Sequence, residues 1–289
     1  MPVADKGNAR PLRQLLEAPA EAAAPSVGHH AHLNDQVMTA PPPHAVARLR
    51  TACLAHSETR PRLDRGDPRK ERCAGCRLIP SHCMCALRAS VATRAGMCLV
   101  MSEFEPLKPS NTGWLVADVV PDTQAFTWSR TAVDPALLAL LDDPRWQPVV
   151  VFPGEFAAPE RVVTELPPAA ASRRPLFILL DGTWSEARKA FRKSPYLDRF
   201  PVLSLDPEQL SRYKLRRSWH EHHFCTSEVA ALCLALAGDL HAAQALEATL
   251  DVFSDRYLRA KQSVPPDLGD ENHRRLHALG REPGTSMPG

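Results

Sequence analysis

The 289 residues are 44% hydrophobic and 24% charged, ordinary for a globular protein and enough for one large core or two modest ones. A formal net charge of only +2 excludes nucleic-acid affinity arising from total charge, so any such affinity has to come from local clusters of Lys and Arg. Eight cysteines are too few for a disulfide-built chain of this length, and four of them crowd between Cys73 and Cys85, a spacing that favours metal over disulfides and a reducing compartment.

The N-terminal MPVADKGNARPLRQLL has no apolar stretch of signal-peptide length. The most apolar runs, PVVVF, PLFILL and VAALCLALAG, fall short of the ~18 residues a membrane helix needs. The expectation is a cytoplasmic protein with no membrane segment and no obligate protein partner evident.

Residues 1–70 are rich in Ala, Pro, His and Arg, contain Pro41-Pro42-Pro43 and show no sustained helix or strand period. They read as a disordered tail, with a short helix around Leu12 to Ala24 as an alternative to plain linker. Residues 71–90 form a compact cysteine knuckle. Residues 91–262 alternate short apolar runs with helical patterns, as an α/β domain does. Strands are expected at Met97 to Met101, Ala125 to Trp128, Pro148 to Phe152, Leu176 to Leu180 and Pro201 to Leu205. Helices are expected at Thr112 to Val119, Pro135 to Asp142, Trp184 to Lys193, Glu228 to Gly238 and near Ala242 to Lys261. Residues 263–289 are polar with Pro and Gly and are expected to be loose.

Cys73, Cys76, Cys83 and Cys85 place four soft thiolate ligands in one loop, a set that selects tetrahedral zinc or an iron–sulfur centre. The closed set favours structural zinc, since radical enzymes using S-adenosylmethionine hold their cluster with three cysteines. His82 stands beside the set as a spare ligand. Cys53, Cys98, Cys225 and Cys233 lack ligand spacing and read as small buried side chains.

The run PLFILL ends at Asp181, and an acid at the carboxyl end of a strand faces the crevice where open α/β sheets bind ligands. From local chemistry a catalytic role for Asp181 competes with a turn or cap role. Thr183 and Glu186 have capping-box spacing, which starts a helix there. On that helix Trp184, Ala187, Ala190 and Phe191 share one face, while Arg188, Arg192, Lys189 and Lys193 line the other, as an RNA-phosphate contact or a solvated charged face. Arg212, Lys214, Arg216 and Arg217 interleave with Tyr213 and Trp219, a mixture that grips a backbone while stacking on bases. Thr226 or Ser227 is the expected cap of the next helix. His220, His222 and His223 lack a matched carboxylate spacing for metal.

In this order the pieces resemble the DTW-domain family, the tRNA-uridine aminocarboxypropyltransferases, over about Cys73 to Tyr257. The motifs are the four-cysteine cluster, EPLKPSNTG from Glu105 to Gly113, Asp181-Gly-Thr-Trp184, Ser194-Pro195-Tyr-Leu, Tyr213-Lys-Leu-Arg216-Arg217 and Cys225-Thr-Ser-Glu228. EPLKPSNTG looks most like the bacterial branch, which modifies the tRNA variable loop. The resemblance implies a domain related to the SPOUT methyltransferases, whose trefoil knot is a rare exception to unknotted topology; nothing in the periodicity shows a knot.

It also implies transfer of the 3-amino-3-carboxypropyl group of S-adenosylmethionine to uridine N3 in tRNA, with release of methylthioadenosine. Asp181 would accept or orient the N3 proton, although an ordinary carboxylate near pKa ~4 is a weak base for that step. Ser110, Asn111, Thr112, Gly113, Thr183, Trp184, Thr226, Ser227 and Glu228 would enclose the cofactor. Arg188, Arg192, Lys193 and Arg217 would address RNA, Tyr213 and Arg216 the RNA or the cofactor's carboxylate, and zinc on Cys73, Cys76, Cys83 and Cys85 would be structural or would grip tRNA. Two other readings stay open: a SPOUT-type RNA methyltransferase and a non-catalytic zinc-containing RNA-binding protein.

Overall fold

In the computed structural model, which describes residues 43–56, 71–168, 172–205 and 224–280, the apolar runs become a six-stranded, all-parallel sheet. The strands are β1 (Gly96–Met101), β2 (Thr123–Thr127), β3 (Trp146–Val151), β4 (Val162–Val163), β5 (Arg174–Asp181) and β6 (Val202–Leu203), ordered β2-β1-β5-β3-β6-β4. Parallel pairing requires crossovers that cover both faces, which is why GMCLVM of β1 is buried along its whole length.

The period of two still sorts side chains between two cores. Met97, Leu99 and Met101 join Phe177 and Leu179 on one face. Cys98 and Val100 join Leu176 and Ile178 on the other. The first core is closed by α1 (Ala45–His56), α2 (Gly113–Val119), α5 (Thr226–Leu236) and α6 (Leu240–Gln262), the second by α3 (Pro135–Asp142) and α4 (Trp184–Arg192). Gly96 permits this packing, because a Cβ there would lie 2.6 Å from the Trp146 ring. No helix among the described residues is long and apolar enough to cross a membrane.

The expected strands and helices of residues 91–262 recur within a few residues, and β4 is added. Its two residues pair only with β6, too short a run to leave an alternation. Two expectations are corrected. Within the stretch read as a disordered tail, Ala45–His56 is a helix, with Val46 fully buried in the first core. Its opening residue is His44, whose Nδ1 accepts from the Ala47 amide at 3.2 Å, outside the usual Ser, Thr, Asp and Asn caps. The other correction concerns residues 263–289. There α7 (Glu271–Leu279) is capped by Asp270, which accepts from His273 N at 2.8 Å, and it buries His273 and Leu276. The Leu12 to Ala24 segment lies outside the described residues.

A chain starting at residue 43 is expected to melt where the full chain does. One starting at residue 71 loses the burial of Val46 and Leu49, roughly 2–4 kcal/mol, and should melt about 5–15 °C lower. Equal melting temperatures for the two truncations would remove α1 from the domain.

Candidate active site and metal centre

Asp181 closes β5 beside Met101, the last residue of β1, and its carbonyl accepts from Ser102 N at 2.8 Å. The strand end therefore delivers its carboxylate to the carboxyl edge of the sheet, where it is 6% exposed. Oδ2 accepts from Asn111 Nδ2 at 2.8 Å and Oδ1 from Thr226 Oγ1 at 2.6 Å. The Asn111 amide is fixed by its other end, since Oδ1 accepts from Trp114 N at 3.0 Å in the first turn of α2. The same Nδ2 reaches Glu105 Oε2 at 3.2 Å, and Glu105 pairs with Lys108. Gly113 is required here, because a Cβ would stand 2.7 Å from Asp181 Oδ2.

Burial first, and the Glu105 charge second, push the Asp181 carboxyl up to about 6, against the pull of Thr226, Asn111 and Lys108. The weak base foreseen from an ordinary carboxylate is thus corrected: this group is ionised at neutral pH yet far closer to it in proton affinity.

The cap of α5 is also corrected. Glu228 Oε2 accepts from Cys225 N at 2.8 Å, so Cys225 and not Thr226 or Ser227 is the cap residue. That shift frees both hydroxyls: Thr226 donates to Asp181, and Ser227 donates to the Thr112 carbonyl at 2.7 Å. The loop after β1 and the start of α5 are thereby joined across the end of β5.

A cavity of about 710 Å³ opens at the ends of β3, β5 and β6, lined in part by Phe152, Leu180, Thr183, Trp184, Phe224 and Thr226. Trp184, placed by periodicity on the core face of α4, is instead 47% exposed. Its ring stacks on Phe152 at 5.5 Å and 6°, and Phe152 stacks in turn on Phe191 at 4.4 Å. The capping box of α4 is present, Glu186 accepting from Thr183 N at 2.8 Å.

Of the residues assigned to the cofactor, Thr183, Trp184 and Thr226 line this cavity. Asn111, Thr112, Gly113, Ser227 and Glu228 do not line it: Asn111 bonds Asp181, Gly113 packs against that carboxylate, Ser227 ties α5 to Thr112 and Glu228 caps α5, while Ser110 is exposed on the loop of Asn111. Arg188 and Arg192 on α4 and Lys193 at its C-cap are exposed, with Arg188 over the Phe156 ring at 4.8 Å and Lys189 over Trp128 at 5.7 Å. Tyr213, Arg216, Arg217, Trp219 and the histidines at 220, 222 and 223 lie outside the described residues. Glu105 and Lys108 join the site beyond the expected residues; the sequence signal for them is an acid three residues before a lysine, just after a buried strand.

The four cysteines of the knuckle converge, their ligand atoms all within 4.8 Å of one another. Sulfur–sulfur distances of 3.5 Å for Cys73 to Cys85, 3.5 Å for Cys83 to Cys73 and 3.7 Å for Cys76 to Cys83 match the ~3.8 Å edge of a tetrahedron with zinc–sulfur bonds near 2.3 Å. Burial pushes the Cys76 thiol up to about 11 and raises Cys85, whereas Cys73, against its own burial, is lowered to about 7 by hydrogen bonds from the Cys76 and Gly75 amides; a bound cation would hold the raised members as thiolates. The geometry is compatible with zinc. His82 is not a ligand: its Nε2 meets the Val264 carbonyl at 2.8 Å and its Nδ1 meets Ser81 Oγ at 3.0 Å. Arg77, in the left-handed region at φ 65°, turns the loop and donates to the carbonyls of Pro106 and Leu107 at 3.1 and 2.7 Å. Trp114 Nε1 donates to the Gly75 carbonyl at 3.0 Å, so the knuckle is tied to the loop that carries Glu105 and Asn111. Behind it, Arg256 on α6 bonds the Cys83 carbonyl and donates from Nε to His273 of α7 at 2.9 Å.

A cysteine knuckle packed on a parallel α/β sheet, with a buried acid and an aromatic-lined cavity at the sheet's carboxyl edge, defines the class. The family model of the DTW domain matches residues 70–258. The chain belongs to the DTW-domain family. No solved structure matches it. Membership is consistent with a tRNA-modifying activity.

Proposed function

We propose that the protein transfers the 3-amino-3-carboxypropyl group of S-adenosylmethionine to N3 of a uridine in tRNA, at the variable loop as in the bacterial branch it resembles. The observation that carries this reading is Asp181: a buried carboxylate with proton affinity raised toward neutrality, held by Asn111 and Thr226 beside a cavity of cofactor size. A parallel sheet in which β5 lies between β1 and β3 is compatible with the SPOUT-like path the resemblance implies.

The exposed Trp184 ring, backed by Phe152, and Phe224 suit a purine, and the anionic Asp181, flanked by the lining residues Leu180, Gly182 and Thr226, suits the cationic end of the cofactor. When bound, S-adenosylmethionine supplies a carbon activated by its sulfonium on the amino-acid side, with methylthioadenosine as a good leaving group. Asp181 takes the proton from uridine N3 as the nitrogen–carbon bond forms; the carbon–sulfur pair of electrons passes to sulfur, leaving a neutral thioether and a protonated carboxyl. Asn111 and Thr226 aim the carboxylate, so the step draws on positioning as much as on basicity. Thr183 lines the cavity, and Ser110, Thr112, Gly113, Ser227 and Glu228 would complete the cofactor's enclosure from the Asp181 side. Cys73, Cys76, Cys83 and Cys85 would hold zinc as a closed structural site.

Arg188, Arg192 and Lys193 would contact tRNA phosphates, joined by Tyr213, Arg216 and Arg217. Replacing the three α4 cations together is expected to weaken tRNA binding at least tenfold at moderate salt and to reduce the slope of log K against log salt by about two to three, since each phosphate contact releases counterions. An unchanged slope in filter binding would make the stripe a solvated face. The function itself is tested by incubating tRNA with the protein and S-adenosylmethionine and assaying for methylthioadenosine.

A further inference from the structure

Asp181 does not sit alone. A second carboxylate, Glu105, is buried on the loop after β1 and shares one donor with it: Asn111 Nδ2 lies 2.8 Å from Asp181 Oδ2 and 3.2 Å from Glu105 Oε2. The amide cannot turn away, because its oxygen is committed to Trp114 N. Two acids bridged by one immobile donor feel each other's charge in a low-dielectric setting. On the far side of Glu105 stands Lys108, a third exposed, which pairs with Oε1. The other ionisable groups near Asp181 among the described residues are committed elsewhere: Glu186 to Thr183 on α4, and Glu228 to the Cys225 amide on α5.

We propose that Glu105 is a positioning residue for the transfer: through the shared Asn111 amide it locks the Asp181 carboxylate in place, and its buried charge, partly offset by Lys108, keeps Asp181 ready to take a proton. This rests on the transferase reading above. A conventional view would make Glu105–Lys108 a loop-stabilising ion pair. The position of the pair argues otherwise, since Glu105 turns one oxygen to Lys108 and the other to the donor of the reacting acid. The direction of the Asp181 shift agrees: Glu105 raises it and Lys108 lowers it.

The two partners therefore make opposite predictions for Asp181, and a pair that only holds the loop would not carry them into the pH dependence of turnover. Glu105→Gln keeps the size and an acceptor for Asn111 but removes the charge. Lys108→Gln removes the offset from the exposed side, where folding is least at risk. In protein carrying ¹³C-labelled aspartate carboxyls, with the Asp181 signal assigned by its loss in Asp181→Asn, the midpoint should fall by about one pH unit in Glu105→Gln and rise by a similar amount in Lys108→Gln. The acid limb of kcat/KM for methylthioadenosine formation should move with it. Midpoints that stay put, or move the same way in both variants, overturn the inference while leaving an active wild type intact as a transferase. A wild type that forms no methylthioadenosine with tRNA overturns the transferase reading and, with it, this role, even where the midpoints move apart.

Discussion

Asp181→Asn is expected to give a folded protein, at least as stable as the wild type at pH 7, whose turnover falls by about 10²–10⁴, the usual loss on removing a positioned acid–base group. Both effects have one origin. The folded carboxyl is raised to about 6 from an ordinary 3.8, so its contribution to stability is fully present below pH 3.8 and is lost as the pH rises through 6. At neutral pH the ionised Asp181 costs stability, by an upper bound of roughly 3 kcal/mol for a shift of this size. The amide stays neutral throughout. Its oxygen can accept from Asn111 and its nitrogen can donate to Thr226, whose hydroxyl rotates to accept. Imperfect refitting offsets part of the gain, leaving on the order of 1–2 kcal/mol. Melting temperatures of the two proteins should diverge in favour of Asp181→Asn between pH 4 and pH 7. A variant less stable at pH 7 and fully active in its folded fraction would make Asp181 a structural residue.

Cys76→Ser should be the most destabilising single change. Cys76 is buried, and Leu78, Met84 and Val91 carry the knuckle into the same core as β1 and α2. A structural four-thiolate zinc site contributes about 10 kcal/mol or more in isolated peptides, and loss of one ligand forfeits a large part of that. The expected fall in melting temperature is at least about 10 °C, with metal content dropping from one zinc per chain. Because Arg77 and Trp114 link the knuckle to the loop of Glu105 and Asn111, S-adenosylmethionine affinity should weaken in parallel, although no cysteine reaches the cavity. Deleting residues 263–289 should speed zinc transfer to a chelator, since it removes the Val264 and His273 contacts behind Cys83. A metal-free protein of undiminished stability would contradict the zinc reading.

The long buried strands, the helices of residues 91–262 and the four-cysteine set were legible because each rests on local pattern: an apolar run, a capping pair, a ligand spacing. The carboxylate at the end of β5 was legible as a candidate for the same reason. What stayed hidden depends on distance along the chain. Asn111 and Thr226 meet at Asp181 only because β5 inserts beside β1 and α5 starts at Cys225, and no spacing announces that. The raised proton affinity follows from burial by those same long-range contacts. α1 escaped because its cap is His44 and its setting is Ala- and Arg-rich. α7 escaped because only His273 and Leu276 are buried along nine residues. Trp184 was misplaced because helical period assigns a face but cannot tell core from the rim of a cavity.

The central claim is that Asp181 serves an aminocarboxypropyl transfer. The most direct measurement is a single-turnover reaction of purified protein with tRNA and S-adenosylmethionine labelled in the aminocarboxypropyl arm, followed by mass spectrometry of the nucleosides. Label on a uridine together with methylthioadenosine is expected from the wild type, and neither from folded Asp181→Asn that still binds both substrates. Adenosylhomocysteine with a methylated nucleoside, or a wild-type rate from Asp181→Asn, would contradict the claim.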